Sequence, residues 1–407
     1  MDAVGDPHRR VDRRLRGRVR RDGERADEVA FRGIAAPLPD TEQKRVEPLE
    51  LFFDLVFVFA LTQVTARLAE DLSWGGLLRG LLVLAVIWWA WAAYAWLTNE
   101  VDGDRRGVRL AIVGAMIAML LASLAIPGAF EQDALLFALA YLGVRVMHIL
   151  LFAAGTEHVD VRAAAAALAP TAVLAPTLLI VASGFDGATQ TLIWIAALAV
   201  DYVGAAFRGI AGWRLSPGHF AERQGLIVII ALGESIVAIG VGAEGIDLGS
   251  GELVAAALGV ILAAALWWVY FDPALERVEH ALERAAPGRE RNVMARDAFS
   301  FLHLPLVAGI VLLALGVKKT LEDTDHELKT VAAVALCAGP AVYLASDVAF
   351  RARCLGLGEP RRLAAAAACL AAIPLALALP ALAALAVVAA IGAALVATES
   401  CAPRSAR

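Results

Sequence analysis

Residues 222–243 read ERQGLIVIIALGESIVAIGVGA, an apolar run that is long enough to cross a membrane as one helix. A transmembrane helix needs about 20 residues to cross roughly 30 Å of hydrocarbon. The run opens on the ionisable residues Glu222 and Arg223 and carries one further acid, Glu234, near its middle. This stretch therefore predicts a transmembrane helix that brings a carboxyl group into the membrane interior.

The composition of the whole chain favours a membrane protein over a water-soluble domain. Hydrophobic residues make up 60% of the 407 residues and charged residues only 19%, whereas soluble domains average about 45–50% and 25%. The apolar residues lie in separate runs with the charges between them. We predict an all-α polytopic bundle of about twelve transmembrane spans. The predicted spans are residues 47–67, 76–97, 109–129, 134–153, 163–183, 189–208, 222–243, 252–271, 297–317, 328–350, 363–379 and 381–398.

The last two predicted spans are the least clearly separated. Pro374 and Pro380 interrupt a single Ala- and Leu-rich stretch over residues 363–398. Proline lacks a backbone N–H and kinks or ends a helix. The sequence leaves open whether this stretch is a hairpin of two spans or one kinked helix.

Residues 1–46 form a separate segment that is rich in Arg, Asp and Glu, and we predict that this tail is disordered. It has no apolar run that could serve as a signal peptide. Eight arginines fall between Arg9 and Arg21, and they suit either docking on anionic lipid headgroups or a cytoplasmic tail that fixes the topology. A basic run without a recognition fold does not indicate nucleic-acid binding.

The distribution of Lys and Arg predicts the topology. If the amino terminus is cytoplasmic, the outside receives only Arg67, Arg79, Lys318, Lys319 and Lys329, and the tail and cytoplasmic loops hold most of the other basic residues. This asymmetry matches the positive-inside rule. We therefore predict that both termini and the loops at 98–109, 209–221 and 272–296 are cytoplasmic, with a short charged surface helix in the last loop.

A weak internal repeat predicts two halves, residues 47–213 and 214–407, with six spans each. Residues 60–63, ALTQ, align with 231–234, ALGE, and Trp88-Trp89 aligns with Trp267-Trp268. Six spans return the chain to the same side, so the repeats would be parallel, an arrangement that occurs among transporters. We expect both tryptophan pairs to pack between the halves.

Several predicted spans carry ionisable residues toward their cytoplasmic ends. Glu50 and Asp54 lie four residues apart on one face of the first span, where the two acids repel unless a cation faces them. Arg145 in the fourth span and Arg223 in the seventh, beside Glu222, are the candidate cations. We predict that Asp54 forms a buried pair with one of these two arginines.

The fourth span places Tyr141, Arg145 and His148 on one helix face. Asp201 in the sixth span and His303 in the ninth lie at similar depth. Two interpretations stay open: an ion-pair network that holds helices together, or a path for ions, protons or a solute. The histidines lack metal-site spacing and the four cysteines show no zinc-type spacing, so we expect neither a metal nor a cofactor.

Glu234 stands alone in its span, and a charged carboxylate would be costly at that depth. Ser235 follows it and could share its proton, and Gln63 is its counterpart in the repeat. Gly233 beside it suits a close helix approach or a local backbone distortion. Glu234 is therefore either a proton or cation carrier, or the acceptor of a single interhelical hydrogen bond.

The residues 46–58, VEPLELFFDLVFV, resemble the opening signature of the bacterial low temperature requirement A (LtrA) family. The resemblance extends over nearly the whole chain after the tail, through Thr98-Asn99 with Asp102, Tyr141 with Arg145 and His148, Ala221-Glu222-Arg223, Leu232-Gly233-Glu234-Ser235 and His303-Leu304-Pro305. It implies a multispanning protein of the bacterial plasma (inner) membrane that is tied by name to growth at low temperature. It implies no particular molecular activity.

Two main classes of function follow from these observations. A secondary transporter or ion pathway is favoured by parallel halves and by ionisable groups from several spans. A membrane-embedded enzyme acting on a lipid or lipid-linked substrate would need a metal triad, a nucleophile elbow or paired acids beside a groove, and Glu50 with Asp54 is the one such pair. A partner subunit that carries nothing itself is a third class. The expected partners are the bilayer and a small solute or ion.

Overall fold

We describe the fold from a computed structural model of the chain. The structure describes residues 46–101, 105–207, 212–244, 249–271 and 274–401. Within these ranges the regular secondary structure is helical, apart from one isolated β-bridge between Glu327 and Pro380. The predicted all-α fold is therefore confirmed. The predicted disorder of the tail falls on residues outside the described ranges, except for Val46.

The helices are numbered in chain order and are separated by short connections. They are α1 Pro48–Glu70, α2 Trp74–Glu100, α3 Arg106–Leu124, α4 Ala134–Gly155, α5 Val159–Ala182, α6 Gly187–Phe207, α7 Pro217–Gly242, α8 Ser250–Phe271, α9 Ala274–Arg284, α10 Arg289–Ala295, α11 His303–Glu322, α12 Thr330–Leu355, α13 Pro360–Ala371, α14 Ile373–Ala376 and α15 Ala381–Ser400. A π-helical turn, Arg296–Phe301, joins α10 to α11 and is called the π segment below.

Local sequence signals explain where the first long helices begin. Pro48 occupies the first turn of α1, where its missing N–H costs nothing, and Glu47 and Glu50 form a reciprocal capping box. Ser73 caps α2 by accepting a hydrogen bond from the Gly76 N–H at 2.9 Å. These caps fix the register in which α1 and α2 present their polar residues to the bundle.

Eleven helical stretches within the described residues are long and apolar enough to cross a membrane. They are α1 to α8, α12, α15 and the stretch Arg289–Glu322, which includes α11. The predicted span at 363–379 is not one continuous long helix, because α13 ends at Ala371 and the four-residue α14 follows, with Pro374 in its first turn. The chain is thus a multi-pass helical membrane protein in which one crossing is broken.

The broken segment and α15 form a hairpin, which decides between the two arrangements that the sequence left open. At one end of the hairpin, Arg362 of α13 bonds to Glu399 of α15 at 2.8 Å. At the other end, the Ala381 N–H donates to the His326 carbonyl at 2.8 Å, in the connection between α11 and α12. The two arms therefore run antiparallel between opposite ends of the bundle, with α13 and α14 as the first arm and α15 as the second.

The central helices are α2, α11 and α12, and α5, α6 and α15 are among the most exposed. The peripheral helices expose large apolar residues, such as Leu192 and Val203 of α6. Exposed apolar side chains of this kind suit contact with lipid. The core of the molecule lies around these inner helices.

Small residues allow α11 and α12 to pack closely. A methyl group added at Gly309 would lie 2.6 Å from the Gly339 carbonyl oxygen, and one added at Gly316 would lie 2.6 Å from the Leu336 Cα. Real side chains do not tolerate such distances. Glycines at these points let the two backbones approach, as small residues do in membrane bundles.

The contacts between helices repeat along the chain. Helix α1 packs on α2 and α3, and α7 packs in the same way on α8 and α11. Helix α3 packs on α4 and α4 on α5, as α11 packs on α12 and α12 on α13. Contacts of α1 with α7 and α11 join the two sets. The division into residues 47–213 and 214–407 stays a prediction that this pattern of neighbours supports.

One expectation about the tryptophans is wrong. Trp88 is fully buried and its Nε1–H donates to the Ser300 carbonyl at 2.8 Å, so it does bridge residues of both predicted halves. Trp267 and Trp268 are 44% and 46% exposed and contact each other on the outer surface of α8. Their position suits lipid contact instead of packing between the halves.

The loop at 272–296 contains more structure than the single charged helix that we predicted. Helices α9 and α10 both lie in it, and α9 buries Val278 and Leu282 completely while Glu276 and His280 remain exposed. The charges therefore lie on the solvent side of an amphipathic helix whose other side packs on the bundle.

Candidate functional site

The described residues place buried charges in three groups that the sequence alone does not separate. The first, the α1–α7 cluster, comprises Glu50, Asp54, His219 and Arg223. The second, the cavity site, comprises Tyr141, Arg145, His148 and Asp201. The third, the α12–α15 cluster, comprises Asp347, Arg351, Arg362 and Glu399. Glu234 and His303 lie apart from all three.

In the α1–α7 cluster the paired acids of the first helix meet an arginine of the seventh. Arg223 NH2 lies 3.0 Å from Asp54 Oδ1, and its NH1 lies 3.5 Å from Glu50 Oε2. The Trp91 Nε1–H also donates to Asp54 Oδ1, at 2.9 Å. Arg223 and Asp54 are fully buried. Of the two arginines proposed as partners of Asp54, the structure therefore places Arg223 beside it.

His219 completes this cluster, although we did not predict it as a site residue. Its Nε2 lies 2.9 Å from Glu50 Oε2, and its Nδ1 lies 3.2 Å from Asn99 Nδ2. Asn99 Oδ1 accepts the Ser216 N–H, so the amide NH2 faces His219 and donates to Nδ1. Because Nδ1 accepts, the N–H of the ring lies on Nε2 and donates to Glu50 Oε2. In this arrangement His219 is neutral and the cluster holds two acids and one arginine.

The cavity site brings together the polar residues of α4 and the acid of α6. Arg145 NH2 lies 3.0 Å from Asp201 Oδ1, and the Tyr141 hydroxyl donates to Asp201 Oδ2 at 3.0 Å. His148 Nε2 donates to the Ala93 carbonyl of α2 at 3.1 Å, because a carbonyl can only accept. The predicted shared face of α4 thus turns inward, but toward α2 and α6 and not toward Asp54.

A cavity of about 80 Å³ adjoins this site. It lies between α2, α4, α5 and α6, and the π segment and the connection before α7 also line it. Its lining residues are Trp89, Ala92, Ala93, Trp96, Arg145, His148, Ile149, Phe152, Ala165, Leu168, Thr171, Ala172, Asp201, Ala205, Trp213, Asn292, Arg296 and Ser300. Most of the helical positions lie toward the ends of the helices that the predicted topology places in the cytoplasm, whereas Arg145, Thr171 and Ala172 lie near the middle of α4 and α5.

Not all hydrogen-bonding groups of the cavity site have protein partners. Arg145 is 5% exposed, yet its Nε and NH1 have no hydrogen-bond partner in the part of the chain that the structure describes. The same holds for His148 Nδ1. Unpaired buried polar groups cost about 1–3 kcal/mol each, and more when charged. Arg145 and His148 both line the cavity, so a molecule bound there would lie beside a cation with unpaired donors and an imidazole with an unpaired acceptor.

The α12–α15 cluster is a denser network that we also did not predict. Arg362 bonds to Asp347 at 2.5 Å and to both oxygens of Glu399 at 2.8 and 3.0 Å. Arg351 pairs with Asp347 at 2.9 Å and donates to the Val269 carbonyl at 2.6 Å. Two arginines thus balance two acids and bind a carbonyl near the end of α8. This group fastens α8, α12, α13 and α15 together.

Glu234 lies on the interface between α1 and α7. The Thr62 hydroxyl donates to Glu234 Oε2 at 2.7 Å, and Glu234 is 1% exposed. Thr62 is the neighbour of Gln63, the residue that the repeat aligned with Glu234. Neither Glu234 nor Ser235 belongs to the lining of the cavity described above.

Of the two roles considered for Gly233, the close helix approach is not found. A methyl group added there would meet nothing within 4 Å, so this glycine does not mark a close helix contact. Glu234 lies 17 residues beyond Pro217, about 26 Å along α7, and only about 12 Å before Gly242, at 1.5 Å per residue. It is therefore nearer the predicted outer end of α7 than its middle.

The remaining predicted residues are placed as follows. His303 is fully buried; its Nδ1 donates to the Ala298 carbonyl and its Nε2 accepts from the Tyr270 hydroxyl, both at 2.9 Å. Both ring nitrogens of His303, the first residue of α11, therefore have hydrogen-bond partners. Glu222 Oε2 accepts the Val46 N–H at 3.4 Å and lies at the surface, outside the α1–α7 cluster. Gln63 is only partly buried.

The fold and these buried charges define a class: a polytopic helical membrane protein with ionisable networks inside its bundle. The family model described as "Bacterial low temperature requirement A protein (LtrA)" matches residues 45–397. The chain belongs to this family. It is also 30% identical over 321 residues to the uncharacterized protein RA0937 of Rhizobium meliloti (strain 1021), a match that covers 76% of this chain and 78% of that protein.

Proposed function

We propose that this LtrA-family protein is a secondary transporter or an ion or proton pathway, and that the cavity beside Arg145 is its solute site. The observation that carries this proposal is the buried guanidinium of Arg145, which borders a cavity while its Nε and NH1 have no hydrogen-bond partner among the described residues. Ionisable residues inside membrane spans are costly and commonly mark paths for ions or solutes.

A comparison within the molecule supports a role beyond structure for the cavity site. In the α12–α15 cluster, Arg362 uses its donors on two acids and a backbone carbonyl. The charges of this network balance within it, although Arg351 NH1 also lacks a partner among the described residues. At the cavity site Arg145 has one acidic partner and borders open volume. If Arg145 had only a structural role, a second acceptor beside its unpaired donors would stabilise the fold.

Glu234 and the α1–α7 cluster are proposed as further parts of the polar pathway. Glu234 has a hydroxyl partner but no paired cation among the described ion pairs, so its carboxyl can lose and regain a proton without breaking an ion pair. The α1–α7 cluster holds two acids against one arginine and one neutral histidine, so it can also exchange a proton. The pathway that we propose comprises Glu50, Asp54, Gln63, Arg145, His148, Asp201, Glu222, Arg223, Glu234, Ser235 and His303.

The enzyme alternative draws less support from the geometry. It relied on Glu50 and Asp54 as paired acids beside an open groove. Both face inward, with Arg223 against each of them and His219 against Glu50. Acids engaged in this way are poorly placed to act on a lipid that enters from the side.

We further propose that the protein lies in the bacterial plasma membrane with both termini in the cytoplasm. The hairpin of α13 to α15 supports an even number of crossings, which brings the two ends of the chain to one side. The arginine distribution then favours the cytoplasm for that side. The Arg-rich tail would lie near anionic headgroups of the inner leaflet.

The test of transport is flux through purified protein reconstituted in vesicles that contain a pH indicator. Gradients of protons, sodium, potassium, chloride and formate are imposed in turn, and internal pH and membrane current are recorded. Ala165→Leu narrows the cavity without removing a charge, and Ala167→Leu adds the same volume on the exposed side of α5 as a control. We expect flux in the wild type and in Ala167→Leu, and its loss in Ala165→Leu. Equal flux in both variants, or none above protein-free vesicles in the wild type, contradicts the proposal.

A further inference from the structure

We infer that the cavity binds a small monovalent anion, an oxyanion or carboxylate of the size of formate, nitrate or acetate, held by the guanidinium of Arg145. The inference rests on the proposed function in taking this cavity as the solute site. It goes further by assigning the charge, size and hydrogen-bonding character of the solute.

The charges around the cavity favour an anion. Arg145 and Arg296 line it together with one acid, Asp201. Outside the lining, Asp297 lies 2.6 Å from Arg296, but it also pairs with Arg353 at 3.1 Å. With these two neighbours, three arginines face two acids among the described residues, and Arg353 is 34% exposed. Within the lining itself two arginines face one acid, so a monovalent anion in the cavity would balance the charge there.

The free hydrogen-bonding groups also select an anion over a cation. Both oxygens of Asp201 are occupied, one by Arg145 NH2 and the other by the Tyr141 hydroxyl. A cation entering the cavity would meet a carboxylate whose charge Arg145 already balances, and it would be repelled by that guanidinium. An anion would instead lie beside the guanidinium of Arg145, which lines the cavity and whose Nε and NH1 lack protein partners among the described residues. Charge-assisted hydrogen bonds from a guanidinium to an oxyanion are among the strongest that proteins make.

The volume and walls of the cavity limit the size of this anion. The cavity measures about 80 Å³, and an apolar cavity of about 150 Å³ is known to hold benzene. The ligand is therefore smaller than benzene and has only a few non-hydrogen atoms. Trp89, Trp96, Trp213 and Phe152 supply aromatic walls. The Nδ1 of His148 can accept from a water molecule that enters with the anion.

The experiment measures binding to the full-length protein in detergent, at constant ionic strength in gluconate, an anion too large for the cavity. Formate is titrated against the apparent melting temperature, with formamide as a neutral ligand of the same shape, methylammonium as a small cation and benzoate as an oversized carboxylate. We expect formate to raise the melting temperature in a saturable way, as a ligand of the native state does. The other three probes should leave it unchanged.

Two variants locate the binding. Arg145→Gln alone leaves Asp201 buried without its cation and could misfold, so it is combined with Asp201→Asn, which removes both charges together. We expect this double variant to bind formate at least about tenfold more weakly, as loss of a charge-assisted hydrogen bond implies. Ala165→Leu should also weaken binding, and Ala167→Leu should bind like the wild type.

The outcomes separate this inference from the proposed function. Saturable formate binding with no flux in vesicles supports the anion site and contradicts transport. Flux of protons or a cation without binding of formate, nitrate or acetate overturns the anion site and leaves transport standing. Binding that is equal in the wild type and in a folded double variant also overturns the inference.

Discussion

Removing the buried pair between Asp54 and Arg223 should destabilise the protein far more than removing a surface pair. The two side chains are fully buried and their charged atoms lie 3.0 Å apart. Arg223→Gln leaves Asp54 and Glu50 together without their cation, and breaking such a pair costs about 3–5 kcal/mol. Asp54→Asn should cost less, about 1–3 kcal/mol, because the amide oxygen can still accept from Trp91 and Arg223 keeps Glu50.

The double-mutant cycle isolates the interaction between the two residues. We expect Asp54→Asn with Arg223→Gln to cost less than the sum of the single changes by about 2 kcal/mol, within the range for contacting residues. The assay is the free energy of unfolding of the purified protein in mixed detergent micelles. A coupling below about 0.5 kcal/mol, the usual error of additivity between distant sites, refutes the reasoning.

Two further cycles serve as controls in the same protein. Asp54 and Arg145 belong to different groups, so their changes should be additive, whereas Arg145 and Asp201 should be coupled. Arg67 and Glu131 form a surface pair at 3.4 Å in which Glu131 is 58% exposed. Their coupling should not exceed about 1 kcal/mol. Strong coupling of Asp54 with Arg145 would show that the two groups do not act as separate networks.

Three other predictions follow from particular contacts. Glu234→Gln should melt like the wild type, because Gln can still accept from Thr62, but should lose pH-dependent flux in vesicles; unchanged flux in the folded variant removes Glu234 from the pathway. Gly309→Ala should lower the unfolding free energy by about 1–3 kcal/mol through overpacking against α12. Gly233→Ala is the control and should not lower it, because there is open space beside Gly233. A similar effect at both sites argues against the close contact between α11 and α12. In a cysteine-free background, Ala286→Cys should react with an impermeant thiol reagent only from the cytoplasm and Asp325→Cys only from outside; the reverse pattern overturns the topology.

The long apolar helices could be predicted from the sequence because hydrocarbon sets a minimum length for each apolar run. The predicted and observed helices agree to within a few residues along most of the chain. The break between α13 and α14 was also visible, since Pro374 cannot lie inside a regular helix without cost. What the sequence could not decide was whether the chain turns back there. That turn depends on contacts with the connection between α11 and α12, far away in sequence.

The partners of the buried charges were harder to predict, because lipid-facing and buried faces of a membrane helix are both apolar. Periodicity therefore says little about which helices are neighbours. His219 was missed because the predicted span began at residue 222, which left this histidine in a loop, while α7 begins at Pro217. Its spacing of four residues from Arg223 was the signal that could have found it. For Asp347, the partner Arg362 becomes evident only once α12 and α13 are seen to pack together.

The α12–α15 cluster changes the set of arginines that supports the predicted topology. The topology in turn decides which side of the membrane the cavity is nearer to. Arg351 and Arg362 are among the basic residues that the predicted topology assigns to the cytoplasmic side, but both are 1% exposed and bind the end of α8. Leaving them out does not reverse the asymmetry, because Arg105, Arg106 and the arginines of the 272–296 region remain on the same side. Under the proposed topology the cavity beside Arg145 then lies in the cytoplasmic half of the bundle. A solute bound there would be nearer the cytoplasm, so transport requires a second arrangement of α2, α4, α5 and α6 that brings Arg145 into contact with the other side.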